Sequence, residues 1–166
     1  GRAWIFVEPQ RGRPAVERAY EAFRLAGDVR GEALALSALV NSYYFEWATF
    51  VPLDRWIPEL KRLLRGAGNL DSASELRARA ALLIALLLRK PEDEDSAACA
   101  QRLDELIDVE SDLNVRVMAA SILLNYINWN TEGAAAATLV VRIDPILRVP
   151  EVTRLMGEKE KARATM

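Results

Sequence analysis

Histidine is absent from this 166-residue chain, and cysteine occurs once, at Cys99. Without histidine, the chain has no imidazole for proton transfer or for binding zinc. A single cysteine also excludes a disulfide within the chain. These absences remove most familiar hydrolase mechanisms and all Cys/His zinc sites. We therefore expect no enzymatic activity, no metal and no cofactor.

Long apolar runs are also absent. The longest run, Ala80 to Leu88, has nine residues and lies between Arg79 and Arg89. A membrane-spanning helix needs about 20 consecutive apolar residues, so this run predicts a buried helix and no membrane partner. The first residues do not resemble a secretory signal, and the chain begins with Gly1 instead of methionine. We expect a cytoplasmic protein, of which this chain is a fragment.

Neither sign of charge is in clear excess. The chain has 22 Lys plus Arg against 24 Asp plus Glu. Nucleic-acid-binding domains usually show a basic excess or stripe, so nucleic acid is not an expected partner. The basic residues near the end alternate with Glu158 and Glu160, as on a solvated helix face.

Proline, glycine and capping residues divide the chain into helical segments, and no stretch alternates as a strand does. Glycine and aspartate at 27–28 form a predicted helix end, and Ser72 with Glu75 forms a predicted capping box. The predicted segments are 3–7, 14–25, 30–47, 52–64, 73–89, 96–107, 112–129, 134–143 and 150–163.

Three prolines carry expectations about these boundaries. Pro14 is expected to start its helix, and Pro58 to lie in the first turn of its own helix. Pro145 is expected to halt or kink the segment before it.

These segments recur with a period of roughly forty residues. The longer helices start near residues 30, 72, 112 and 150, and the shorter ones near 14, 53, 96 and 134. Tyr44-x-x-Trp47 returns as Tyr126-x-x-Trp129, 82 positions later, which is two periods. Such repetition is typical of helical solenoids. The sequence predicts an all-α solenoid of antiparallel helix pairs, with repeats near 14–50, 51–91, 92–131 and 132–166 and with Ala80 to Leu88 enclosed at the centre.

One stretch resembles a known family. Residues 20–36, with the Gly27-Asp28 turn and Gly31-Glu32-Ala33, resemble tetratricopeptide repeats of the kind found in bacterial multidomain signalling ATPases and transcriptional regulators. Tyr44 fits the aromatic residue of the family's first helix, and Phe50 fits the aromatic residue of its turn. The forty-residue period exceeds the 34 residues of a standard unit. The resemblance implies a right-handed superhelix in a bacterial regulator.

The resemblance also implies that the longer helices line a concave groove. The expected groove is mainly apolar, and it lacks the cations that would clamp a terminal carboxylate. We therefore expect an apolar helix or extended segment as its guest; the alternative is that these side chains are simply core. The family's groove positions fall on Ala35, Ala38, Ser42, Phe45 and Glu46, and on Val117, Ala120, Leu124, Ile127 and Asn128.

Three further features have a functional and a structural interpretation. Trp47, Trp56 and Trp129 could form a recognition cluster, but packing between repeats is the favoured interpretation. The acidic run at 92–95 matches no calcium loop and predicts a solvated loop. Cys99 lies among alanines, with no histidine to activate it, and is expected to be a small buried residue.

Together these features predict a non-catalytic interaction or regulatory domain. Its partner would be a protein, a peptide or another domain of the same chain. The alternative is a structural spacer or an oligomerisation domain, which would form a homo-oligomer. An enzyme of unrecognised type comes third.

Overall fold

The computed structural model describes residues 5, 8–66, 68, 70–130 and 134–148. Within these residues all regular structure is helical and there are no strands, which confirms the all-α class. The expected helix at 150–163 lies outside the described residues, as does all but Ile5 of the one at 3–7. The helices are α1 (Pro9–Ala26), α2 (Val29–Glu46), α3 (Leu53–Arg65), α4 (Ser72–Arg89), α5 (Asp95–Val109), α6 (Leu113–Asn130) and α7 (Ala134–Leu147).

Prolines proved poor markers of helix ends. Pro14 was expected to start the first full helix, but α1 begins at Pro9 and continues through Pro14. Pro58 is the sixth residue of α3, beyond the first turn in which it was expected. Pro145 was expected to halt or kink its helix, yet α7 extends to Leu147. Each interior proline removes one backbone hydrogen bond, a cost that other contacts offset.

The turn between α1 and α2 follows the sequence closely. Gly27 adopts a left-handed conformation with φ 68°, and its N–H donates to the Arg24 carbonyl at 3.2 Å. Asp28 then caps α2 by accepting a hydrogen bond from the Gly31 N–H at 2.9 Å. A Cβ at Gly31 would lie 2.4 Å from the Phe23 ring, so only glycine fits here. The predicted helix end at Gly27-Asp28 is confirmed.

An aspartate likewise caps α4 and α6, which together with α2 we call the long helices. Helix α1 also has 18 residues, so the segment expected at 14–25 is longer than predicted. Asp112 accepts from the Asn114 and Val115 N–H groups at 2.9 and 3.3 Å, as the sequence suggested for the start of α6. At α4, however, the cap is Asp71, which accepts from the Ser74 N–H at 2.9 Å. The predicted Ser72–Glu75 capping box is therefore wrong. Glu75 instead forms an ion pair with Arg79, four positions later in the same helix, at 2.7 Å.

The long helices pack on one another in chain order, α2 on α4 and α4 on α6. Each shorter helix packs on the long helices next to it in sequence, so α4 touches α2, α3, α5 and α6. All residues from Ala80 to Leu87 are buried, on every side of α4. This confirms the prediction that the longest apolar run is enclosed by neighbours.

Ion pairs join α2 and α4 to the shorter helices that follow them. Glu32 of α2 binds Arg62 of α3, and Glu75 of α4 binds Arg102 of α5 at 3.1 Å. Burial would raise the pKa of Glu75, but hydrogen bonds from Arg102 and Arg79 outweigh it and hold this pKa below its usual value. The carboxylate is therefore ionised at neutral pH although it lies inside the stack.

Candidate interaction surface

The C-terminal end of α2 carries an unusual backbone conformation. Trp47 ends the helix with φ 55°, and its N–H donates to the Tyr43 carbonyl at 3.1 Å. Among the described residues it is the one non-glycine residue with positive φ. A bulky side chain rarely adopts this conformation, and such strain often marks functional positions. The turn directs the chain away from α2 immediately after the indole.

Four aromatic side chains form a continuous ridge at this end of α2. The Trp47 ring lies edge-on to Tyr44, with centroids 5.7 Å apart, and edge-on to Phe50, with centroids 5.1 Å apart. Phe45 adds a tilted contact with Tyr44 at 5.3 Å. We call Tyr44, Phe45, Trp47 and Phe50 the aromatic ridge. Phe45 and Trp47 are 64% and 61% exposed, whereas Tyr44 and Phe50 pack against the core.

The second Tyr-x-x-Trp motif brings another exposed indole to a neighbouring helix end. Trp129 of α6 is 61% exposed. The Asn125 side-chain amide, one turn before it, donates to the Tyr44 hydroxyl at 3.4 Å. Three residues before Tyr44, the Asn41 amide lies 3.9 Å from the Met118 sulfur. The long helices α2 and α6 therefore meet directly, although α4 packs against both.

The predicted groove residues of α2 do not share an open surface. Ser42 is fully buried; its hydroxyl accepts a hydrogen bond from Arg13 Nε at 2.9 Å and donates to the Leu39 carbonyl. Glu46 forms an ion pair with the same Arg13, and Ala38, one turn before Ser42, is buried. Ala35 is buried as well. Only Phe45 of this group is largely exposed, because the face of Ser42 and Glu46 packs on α1.

The predicted groove residues of α6 are placed differently. Leu124, Ile127 and Val117 are half-buried against the core, whereas Ala120 is fully buried and Asn128 is exposed. Ile127 also lines an open pocket of about 510 Å³ between α5, α6 and α7. The residues expected to line one groove therefore lie in three places: the core, the open pocket and the surface. They do not form one continuous channel.

The junction of α1 and α2 is held by a buried cation. The Arg13 guanidinium lies 3.7 Å from the centre of the Tyr43 ring and also binds Ser42 and Glu46. Its hydrogen bond to Glu46 outweighs partial burial and lowers the pKa of that carboxyl below its usual value. The sequence did not predict this role of Arg13, because Arg11 and Arg13 stand together before the segment expected to start at residue 14, and nothing in the sequence shows which of them is buried. This network fixes the helix end from which the ridge projects.

Three of the chain's four tryptophans, at 47, 56 and 129, lie in the described residues and have two different environments. Trp56 is 1% exposed and lies edge-on to Tyr20 at 5.7 Å, so packing is confirmed for this residue. Trp47 and Trp129 are mostly exposed, so the packing interpretation is wrong for most of their surface. Trp47 and Trp129 each end a Tyr-x-x-Trp motif, whereas Trp56 does not. This difference in sequence could have distinguished the two exposed tryptophans from the buried one.

The acidic run at 92–95 and Cys99, the two remaining candidates, have structural roles. Lys61 binds Asp93 and Asp95 at 2.6 and 2.7 Å, so the acidic run is tied to α3 and is only partly solvated. In the described ranges no group of three or more acidic or cysteine side chains could hold a metal ion. Cys99 is 3% exposed, which confirms the expected buried residue, and burial raises the pKa of its thiol to about 11.

Two further findings bear on the class of the protein. Of the helices that the structure describes, none is both long enough and apolar enough to cross a membrane. The chain matches no protein-family model, no curated protein and no solved structure.

Proposed function

We propose that this chain is a non-catalytic, tetratricopeptide-like interaction domain of a bacterial regulator and that it binds a protein partner through the aromatic ridge. The observation that carries the proposal is the pair of exposed rings, Phe45 and Trp47, on a strained and rigidly held helix end. Aromatic residues dominate binding hot spots because they bury a large area with little loss of conformational entropy.

The proposed architecture is a right-handed solenoid of helix pairs. Three observations support it: the forty-residue period, the aspartate at the start of α2, α4 and α6, and the packing of these helices in chain order. In such an array each unit contacts mainly its neighbours, and partners bind surfaces built from several units. The ridge and Trp129 belong to different units but lie on helices that touch.

The proposed partner is an apolar helix or extended segment. The ridge contains no cation of its own, and the nearest charged side chain in sequence, Glu46, is already paired with Arg13. A terminal carboxylate would find no charge partner on these rings, whereas apolar side chains would gain the area of two exposed aromatic residues. Phe45 and Trp47 are the residues on which we expect most of the affinity to depend.

Photo-crosslinking in the native cells tests the proposal. The probe, benzoylphenylalanine, replaces Val51, which is 61% exposed and follows the ridge directly. We expect one discrete protein adduct, and we expect Phe45→Glu with Trp47→Asn to reduce its yield at least tenfold. Asparagine is chosen at 47 because it tolerates a left-handed conformation.

Leu25→Glu is the matched control, since Leu25 is an apolar residue that is 84% exposed on α1, away from the ridge. It should leave the adduct unchanged. An adduct that survives the ridge substitutions would contradict the proposal, as would loss of helical folding in the Phe45→Glu variant. An adduct between two copies of the chain would support the alternative function, an oligomerisation domain.

A further inference from the structure

A cleft recurs at equivalent places in two successive units. One cleft, of about 200 Å³, lies between α3, α4 and α5, and the other, of about 510 Å³, lies between α5, α6 and α7. We call them the first cleft and the second cleft. The second cleft is the same feature of the fold, built from different side chains, because its lining residues correspond to those of the first at a separation of 40 or 41 positions. The corresponding pairs are Lys61 and Gln101, Leu82 and Leu123, Asp95 and Ala135, and Cys99 and Leu139.

An ion pair crosses the first cleft. Lys61 of α3 lies 2.7 Å from Asp95 of α5, so the two shorter helices are tied together at this point. The equivalent residues of the second cleft are Gln101 of α5 and Ala135 of α7. An amide and a methyl group cannot form an ion pair. The second cleft is therefore open where the first is closed by charge.

Smaller side chains also widen the second cleft. At two positions where α3 has Ile57 and Leu60, both buried, α5 has Ala97 and Ala100. Both alanines line the second cleft. Each exchange removes a branched side chain from the wall, and in a closely packed fold such a loss leaves space. The larger volume of the second cleft thus has a cause in the sequence.

The second cleft has the volume and the apolar lining of a small-molecule site. Such sites usually measure about 300–1,000 Å³ and are lined mainly by apolar and aromatic side chains. Leu123, Ile127 and Leu139 form the apolar part of this lining, together with the half-buried Tyr126. A ligand with an apolar ring could pack against these side chains and lose contact with water.

The charges that line the second cleft are already paired with each other. Among its lining residues, Asp104 and Arg142 carry charge, and Arg142 Nη1 donates to Asp104 at 3.3 Å in addition to a second, shorter contact. Gln101 and Thr138 are its uncharged polar residues. A charged ligand would lose hydration without gaining a counter-ion of its own, so the lining favours a neutral ligand.

We propose that the second cleft binds a small, neutral, largely apolar molecule about the size of two fused aromatic rings. Its ring would pack on Ile127 and Tyr126, and the Gln101 amide would supply a hydrogen bond. The residues that carry this proposal are separate from the aromatic ridge. Failure of the proposal would therefore leave the proposed function untouched.

Nuclear magnetic resonance of the ¹⁵N-labelled full chain tests the proposal, with the neutral two-ring molecule 2-naphthol as the probe. We expect saturable shifts at the amides around the second cleft, among them Ala97, Ala100 and Thr138. The dissociation constant should be about 0.1–1 mM, as is usual for a ligand of this size. Shifts that do not saturate, or that are confined to the aromatic ridge, would overturn the proposal.

Two charged probes of the same shape test the neutral class of ligand. They are 2-naphthalenesulfonate, an anion, and 2-naphthylmethylammonium, a cation. We expect each to bind at least tenfold more weakly than 2-naphthol, because Asp104 and Arg142 are engaged with each other. Binding of either charged probe within tenfold of 2-naphthol would overturn the assignment to a neutral ligand.

Ala97→Ile places in the second cleft the residue that α3 carries at the equivalent position, and it should weaken 2-naphthol binding at least fivefold. Ala98→Ile is the matched control, since Ala98 is also exposed but lines the first cleft. It should leave the binding unchanged. If Ala97→Ile does not fold, Gln101→Lys with Ala135→Asp replaces it, because this pair restores the missing ion pair. Unchanged binding in the folded variant, or equal weakening by Ala98→Ile, would overturn the proposal.

Discussion

Cys99 shows how a single residue's environment controls its chemistry. Its thiol is 3% exposed and lies 3.4 Å from the Arg79 carbonyl. Because the charged thiolate is poorly solvated in this apolar site, burial moves the pKa from 9.0 to about 11. Cys99 lies one turn before the fully buried Leu103, on the side of α5 that packs into the core, whereas Ala97 and Ala98 are exposed. The sequence predicted a small buried residue here, but it did not show which of the neighbouring alanines share its environment.

We expect the folded chain to resist alkylation at Cys99. At pH 8 a rise of two units in the pKa lowers the thiolate fraction about 100-fold, and burial slows access further. Iodoacetamide labelling followed by mass spectrometry should therefore be at least 100-fold slower in the folded chain than in 8 M urea. Equal rates in the two conditions would show that Cys99 is exposed.

Glu75 makes the stability of the stack depend on pH. Its pKa in the folded chain is lower than the 4.5 of an unperturbed glutamate. A lowered pKa contributes stability that is present above about pH 4.5 and is lost as the pH falls through the lowered value. We expect Glu75→Gln to reduce the free energy of unfolding by about 1–2 kcal/mol at pH 7, since it removes charge-assisted hydrogen bonds.

Urea unfolding measured between pH 7 and pH 3 checks this effect. The two chains should converge in stability as the pH falls, because the wild type loses the contribution that the variant already lacks. Glu105→Gln is the control, since the Glu105 side chain is 52% exposed and should contribute less than about 0.5 kcal/mol. A constant difference between wild type and Glu75→Gln at all pH values would contradict this role.

Individual residues on the face of α2 were harder to predict. Ala38, Ser42 and Glu46 share a stripe that the family resemblance assigned to a groove, but Arg13 of α1 binds two of them. The sequence does not show which of two similar stripes a neighbouring helix covers. The predicted residues do lie on one face of α2, but that face packs on α1 and does not line a groove.

At the scale of helices, the start of α4 separates two sequence interpretations. The sequence favoured Ser72 as the cap, whereas the structure places Asp71 there. We expect Asp71→Ala to destabilise the chain by about 1 kcal/mol, the usual cost of a lost N-cap. Ser72→Ala should cost less, because its hydroxyl binds only Glu110, at 2.6 Å. Thermal unfolding of both variants decides between the two interpretations. A larger loss of stability for Ser72→Ala than for Asp71→Ala would show that Ser72 is the cap.

Helix existence was predictable from the sequence, but the helix ends were less so. Proline, glycine and capping residues divide the sequence into segments that match the seven described helices, whereas apolar periodicity is weak in α2 and α6. The errors lie at Pro14 and Pro145, which were interpreted as a start and a stop, and at Pro58, which was expected in the first turn of its helix. Local rules for proline do not include tertiary contacts such as the Arg13 network, which requires a helical turn before Pro14.

At the scale of the molecule, the forty-residue period predicted the order in which helices pack. It placed the most apolar segment at the centre, where α4 now lies between α2 and α6. The period could not predict that α2 and α6 also touch through Asn41, Tyr44, Met118 and Asn125. That contact joins residues 77 and 81 positions apart, which no pattern within one repeat indicates. It also explains why the aromatic ridge, instead of a central groove, offers the exposed surface.

Amide hydrogen exchange along the intact chain tests the stacked arrangement most directly. Because α4 is enclosed by α2, α3, α5 and α6, its amides should exchange only through global unfolding and be the slowest in the chain. The amides of α1 and α7, at the two ends of the described stack, should exchange faster through local opening. Exchange in α4 as fast as in α1 and α7 would contradict a stack centred on α4.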